Sequence, residues 1–123
     1  MKLTNNLAID AQLEIYRQNG FSYAQTREIK RGLTLGFDPS LYANVNFAPH
    51  QIKMIIECLV KNLDIAYLTN DCYGWLQVDE IYTGLTQELD VSRYADKDIP
   101  WLQMREIRER LEREQFESEV HNL

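Results

Sequence analysis

The chain has 123 residues, 45% of them hydrophobic and 26% charged, and this length and balance suit one water-soluble domain with a real core. No run approaches the roughly 20 apolar residues of a membrane span and no basic-then-apolar leader opens the chain, so a cytoplasmic location is expected. Its 13 Lys and Arg against 19 Asp and Glu, a net charge of −6, argue against a general nucleic-acid binder, which needs cations to displace phosphate counterions, and leave a basic partner open.

The charge is unevenly spread. Residues 1–63 carry seven Lys/Arg and five Asp/Glu, for +2, whereas residues 64–123 carry six and fourteen, for −8. Cys58 lies at a helical position among Met54, Ile55, Ile56 and Leu59, where a free thiol acts as a small hydrophobe. Cys58 and Cys72 are both expected to stay reduced.

Taken in order, residues 1–20 predict an amphipathic helix with Leu7, Ile9, Leu13 and Tyr16 as its stripe and Asn19-Gly20 as its stop. Leu3 and Leu7 fall in phase with the Ile and Leu positions of the later units, which makes this segment a degenerate N-terminal cap. From residue 21 the chain repeats every 26 residues. Gln25, Gln51, Gln77 and Gln103 are evenly spaced, as are Ile29, Ile55, Ile81 and Ile107, then Leu33, Leu59, Leu85 and Leu111, then Asp38, Asp64 and Asp90. A period of roughly 20–50 residues marks stacked units, none of which buries its apolar face alone.

In the unit 21–46, Ser22-Tyr23-Ala24-Gln25 reads as a capping box, and Thr26, Ile29, Leu33 and Phe37 recur at helical steps. Asp38-Pro39 opens a short second helix. The unit 47–72 keeps the spacing with Pro49 near its helix start, but Met54, Cys58 and Leu68 replace the Glu, Gly and Tyr of its neighbours. The unit 73–98 is the fullest. Residues 99–116 begin as a fourth copy, lose the Asp-x-Ser-x-Tyr half and run on as charged helix, which predicts a C-terminal cap, and residues 117–123 are expected to fray. The fold class is all-α: a short α-solenoid of long-helix/short-helix repeats closed by N- and C-terminal capping helices, with its curvature open in either hand.

The unit resembles a repeat of the form Gln-Met-x-Glu-Ile-Arg-x-Gly-Leu-x-x-Gly-Leu-Asp-Val-Ser-x-Tyr-Ala, found in phages and conjugative elements of gut-dwelling Gram-positive bacteria. Gln25 to Ala43, Gln77 to Ala95 and Gln103 to Leu111 carry the match, with Gln51 to Asn70 as a weaker copy. The resemblance implies a helical-repeat fold and a mobile-element origin, and it brings no catalytic residues with it.

Constellations that bear chemistry are sparse. His50 and His121 are the two histidines, and no nucleophile elbow, phosphate loop or paired-His motif occurs, so no catalytic, cofactor-binding or metal-binding residue is assigned. Cys58, Cys72 and His50 lack the short paired spacings of a zinc site. One Asp per unit at a helix start reads as a cap rather than a calcium loop. Gly32, Gly36 and Gly84 predict close approach of a neighbouring helix, and Tyr42 and Tyr94 predict buried rings with hydroxyls on backbone acceptors. Arg105, Arg108, Arg110 and Arg113, interleaved with glutamates, predict a solvated face laced by pairs four apart. Arg27, Lys30 and Arg31 form a smaller unmixed basic cluster.

Two features are left to carry recognition. Asp71, Asp79, Glu80 and Glu88 belong to an acidic sector from Asp64 to Asp98 and have no obvious neighbouring cation. Tyr23, Trp75 and Trp101 recur at the first turn of long helices, either as a row of exposed anchors or as staples packed between units. The expected function is a non-catalytic protein–protein interaction module, with no cofactor and no direct contact to nucleic acid or membrane. The alternative is an anti-CRISPR-like inhibitor whose acidic sector occupies the cationic channel of a nucleic-acid-binding enzyme in place of phosphate.

Overall fold

A computed structural model describes residues 2–122, with side chains described from residue 7 onward; the chain is all-α, with no strand among the described residues. Its long helices are α1 (Lys2–Gln18), α2 (Tyr23–Thr34), α3 (Pro49–Val60), α5 (Trp75–Thr86) and α6 (Trp101–His121). Between them lie the 3-10 turn Pro39–Leu41, the single turn α4 (Ala66–Thr69) and the 3-10 turn Val91–Arg93. The long helices pack in chain order, α1 on α2, α2 on α3, α3 on α5 and α5 on α6. No helix among the described residues is long and apolar enough to cross a membrane.

The period is visible in how α2, α3 and α5 end. Gly36, Asn62 and Glu88, one period apart, all take a left-handed φ, at +85°, +56° and +58°. The next amide then turns back five residues, Phe37 to the Gly32 carbonyl, Leu63 to Cys58 and Leu89 to Gly84, at 2.8 to 3.0 Å. This is a Schellman closure in triplicate. Beyond it Asp38, Asp64 and Asp90 accept the amides of Ser40, Ala66 and Ser92 at 3.0, 2.9 and 3.3 Å, the expected caps. The second helices are short, as expected, three or four residues each, and two of them are 3-10 turns. In the first and third units the chain leaves the turn at once to seat a tyrosine.

That tyrosine explains the glycines. Tyr42 and Tyr94 are fully buried, each lying against the glycine of its own long helix. A Cβ on Gly32 would stand 2.5 Å from the Tyr42 ring, and one on Gly84 would be closer still to the Tyr94 hydroxyl. For Gly32 and Gly84 the close neighbour is therefore a ring, not the helix that the glycine positions predict, and Gly36 has no close neighbour at all, its part being the left-handed turn. The hydroxyls donate to the Phe37 carbonyl at 3.0 Å and the Glu80 carbonyl at 2.7 Å. In the second unit both partners change together: Cys58 stands where the glycine would be and Leu68 where the tyrosine would be, both fully buried.

The repeated glutamines tie units to one another. Gln25 accepts the Ser22 amide at 2.8 Å and donates to the carbonyls of Val45 and Phe47, 20 and 22 residues on, at 2.9 and 2.8 Å. Gln77 does the same with Gly74, Lys97 and Ile99. Gln51 accepts the Tyr73 amide at 3.2 Å and donates to Leu68 and Asp71. Each therefore straps the start of its helix to the segment leading into the next unit, using both oxygen and nitrogen of a buried or half-buried amide.

Both ends depart from expectation. In α1, Leu13 is buried and Ile9 and Tyr16 pack against the core, but Leu7 faces solvent. Two residues are about 200° of helical turn, so Leu7 points away from Ile9. Leu3 lies outside the residues with described side chains. At the other end α6 stays helical to His121, through the stretch expected to fray. No Gly or Pro comes after Pro100, and no tyrosine returns to break the helix. Leu123 lies outside the described residues.

Candidate interaction surface

Contacts at or next to equivalent positions set neighbouring helices side by side in the same direction. Arg31 of α2 meets Glu57 of α3 at 2.5 Å, one period apart, and His50 at the start of α3 stacks on Trp75 at the start of α5. The helix starts therefore gather at one end of the molecule. Tyr23, Pro49, Trp75 and Trp101 occupy the first residue of α2, α3, α5 and α6 there.

Two of the aromatic members, Tyr23 and Trp75, face water, although Trp75 also stacks on a ring of the preceding unit. Tyr23 is 78% exposed and Trp75 65%, while Trp101 is half-buried. Each ring is nonetheless held on one side. The Arg17 guanidinium lies 4.6 Å from the Tyr23 ring centre and that of Arg105 lies 5.0 Å from Trp101. Trp75 is stacked by His50, with centres 4.4 Å apart and planes within 18°. These cation–π and stacking contacts restrain the rings, while Tyr23 and Trp75 stay largely open to solvent. Beside Trp75 a pocket of about 170 Å³ is lined by Pro49, His50, Tyr73 and Val78 among others.

His50 carries a second partner that sequence reading missed. Its Nε2 lies 2.7 Å from Oδ1 of Asp79, three residues beyond the equivalent position in the next unit. The signal was there in a residue one period plus three away. A His–Asp pair orients a general base in hydrolases, yet no Ser, Thr or Cys lines this pocket. Among the described residues no group of three or more His, Cys, Asp or Glu is placed to hold a metal ion. Cys58 is buried and Cys72 exposed, and both are free thiols. Burial pushes the Cys58 thiol up to about 12, so it stays protonated.

The acidic candidates separate into four different situations. Asp71 is partly exposed, accepts the Cys72 amide at 2.8 Å and lies 3.9 Å from Lys97. Asp79 shares the half-exposed rim with His50 and Trp75. Glu88 is exposed at the left-handed closure of α5. Glu80 is the correction: it is only 4% exposed, and two cations reach it from α6. Arg105 Nε donates to Oε1 at 2.8 Å and Arg108 Nε to Oε2 at 2.7 Å.

The same observation corrects the reading of the arginine-rich face of α6. Arg108 is itself largely buried and also bonds Glu112, the one expected kind of four-apart pair present among the described residues of that helix. Burial works against its charge, but the bond to Glu80 together with the negative charges of Glu80 and Glu112 more than offsets it and holds the guanidinium above its ordinary range. Glu80 therefore pins α6 to α5. No family model matches the chain, and no curated protein or solved structure matches it either.

Proposed function

We propose that this chain is a non-catalytic helical-repeat module of the cytoplasm, encoded by a phage or mobile element, that binds a protein through the ring row at its helix starts. Its units would form a short α-solenoid capped by α1 and α6. The observation that carries the reading is that Tyr23 and Trp75 are exposed at equivalent positions while each is held by a stacking partner. Rings fixed before binding lose little freedom on association, and exposed aromatics of this kind supply interface anchors. Asp79, bonded to the His50 ring that stacks on Trp75, favours a partner surface that offers basic as well as apolar side chains.

The test compares capture by the wild-type chain and by a Tyr23→Ser/Trp75→Ser variant. The expected result is a partner retained by the first and lost, about tenfold or more in affinity, by the second, with unchanged helicity. Equal capture by both, or turnover of a small molecule with no macromolecular partner, overturns the reading. The inhibitor alternative now rests on Asp71, Asp79 and Glu88, because the charge of Glu80 is already matched inside the fold.

A further inference from the structure

The last two turns of α6 and the outer face of α2 are surfaces of opposite charge. From Phe116 to Asn122 every residue is exposed. Phe116 and Val120, four apart and so on one side of the helix, are 66% and 49% exposed, flanked by Glu117 and Glu119. An acidic helix with an unfilled apolar stripe thus runs past the packed part of α6.

Between α2 and α3 lies an open groove of about 440 Å³ with the opposite character. Leu35 and Val60, 51% and 49% exposed, form its apolar floor, and Arg27, Lys30 and Arg31 form its rim. Arg31 is paired with Glu57, but no ion pair among the described residues uses Arg27 or Lys30. The two surfaces are opposite in charge, Arg27 and Lys30 at the groove and Glu117 and Glu119 on the tail, in line with the +2 of residues 1–63 and the −8 of residues 64–123.

We infer that the end of α6 from one copy docks into the α2–α3 groove of a second copy, seating Phe116 and Val120 on Leu35 and Val60 and placing Glu117 and Glu119 against Arg27 and Lys30. One chain cannot satisfy itself. α6 packs on α5, and α2 lies beyond α3, so about three interhelical spacings of 8–10 Å separate the two surfaces. Because groove and tail are different surfaces, the contact is heterologous and propagates into a ring or an open filament. The inference does not depend on the aromatic row.

Sedimentation velocity over a wide concentration range tests it. The wild-type chain should grow beyond a dimer as concentration rises, with affinity falling about tenfold from low to high salt. Leu35→Asp and Phe116→Asp should each leave a monomer. Mixed in equal amounts they should form a one-to-one dimer and nothing larger, since one supplies an intact tail and the other an intact groove, and the leftover surfaces both carry Asp. Should Leu35→Asp lower helicity, Lys30→Glu takes its place in the mixture. A wild-type chain that stays monomeric at every concentration in low salt overturns the inference and leaves the groove to a foreign acidic helix. Assembly that the mixture fails to restore also overturns it, because it points to a two-fold contact.

Discussion

The second and third units share a skeleton and solve its contacts with different chemistry. At positions one period apart, Met54 corresponds to Glu80, Cys58 to Gly84, Asn62 to Glu88 and Leu68 to Tyr94. In the second unit a thiol and a leucine, both fully buried, hold the positions that a bare glycine and a tyrosine ring in contact with it hold in the third, so both partners change together. The junction beyond the third unit is ionic, with Glu80 between two arginines. The second unit has Met54 at that position, and the helix beyond it offers Asp79 and Tyr82 where α6 has Arg105 and Arg108. A fixed backbone period therefore constrains pairs of residues, not single ones.

Transplanting residues from the second unit into the third tests this pairing. Glu80→Met should have the largest effect, about 3 kcal/mol in a urea melt, because it leaves the largely buried Arg108 without its main partner. Adding Arg108→Leu should recover most of that loss. A single substitution that costs no more than a surface change would show that the ion pair does not hold α6.

Gly84→Cys should cost about 2 kcal/mol or more, since the new Cβ collides with the Tyr94 hydroxyl and with Val91. Combined with Tyr94→Leu it reproduces the second unit's pair, and the double variant should be more stable than the Gly84→Cys single. Simple additivity in the thermodynamic cycle would break the comparison.

Tyr94→Phe removes the 2.7 Å bond to the Glu80 carbonyl and should cost about 1 kcal/mol near neutral pH. It should also flatten the alkaline limb of stability. Burial raises the pKa of Tyr94 well above its ordinary value of 10.0 and that of Tyr42 to about 12. The folded state then holds these protons more tightly than the unfolded chain. Their contribution is fully present below about pH 10 and is lost as pH rises through the folded values. Melting temperatures followed from pH 8 upward should fall less steeply in the variant.

The smallest effect belongs to Glu88→Asn, the second unit's residue. Asn tolerates the left-handed φ of +58° better than Glu, so a gain of about 0.5 kcal/mol is expected by chemical denaturation. A loss would show that the Glu88 carboxylate supports the fold in a way its exposed position does not suggest.

Local rules made much of this fold readable. The capping box at Ser22 and Gln25, the Asp caps and the apolar phases come from short-range spacing. What stayed hidden depended on partners a full unit away. Glu80 reads as a free surface acid until Arg105 and Arg108, 25 and 28 residues on, are placed over it. Glu88 and Glu114 show the limit most directly. They are the same residue at the same phase, yet one closes a helix in a left-handed turn and the other lies inside α6. Residue type alone does not decide between them. The difference lies downstream, where Tyr94 returns to dock on Gly84 and Val120, its counterpart, does not. Of the candidate surface, spacing showed that Tyr23, Trp75 and Trp101 are equivalent, but not which side of the helix stack their rings would occupy.

The glutamine straps also impose a timetable. Gln25 cannot be seated until Phe47 has been synthesised, nor Gln77 until Ile99, because the carbonyls that receive their amides belong to residues 20 and 22 places later. On a ribosome each segment would wait, half-finished, for the opening residue of its successor, and would close as that residue left the exit tunnel. Maturation would then run as a ratchet from the N-terminus, with at most one incomplete segment exposed at a time.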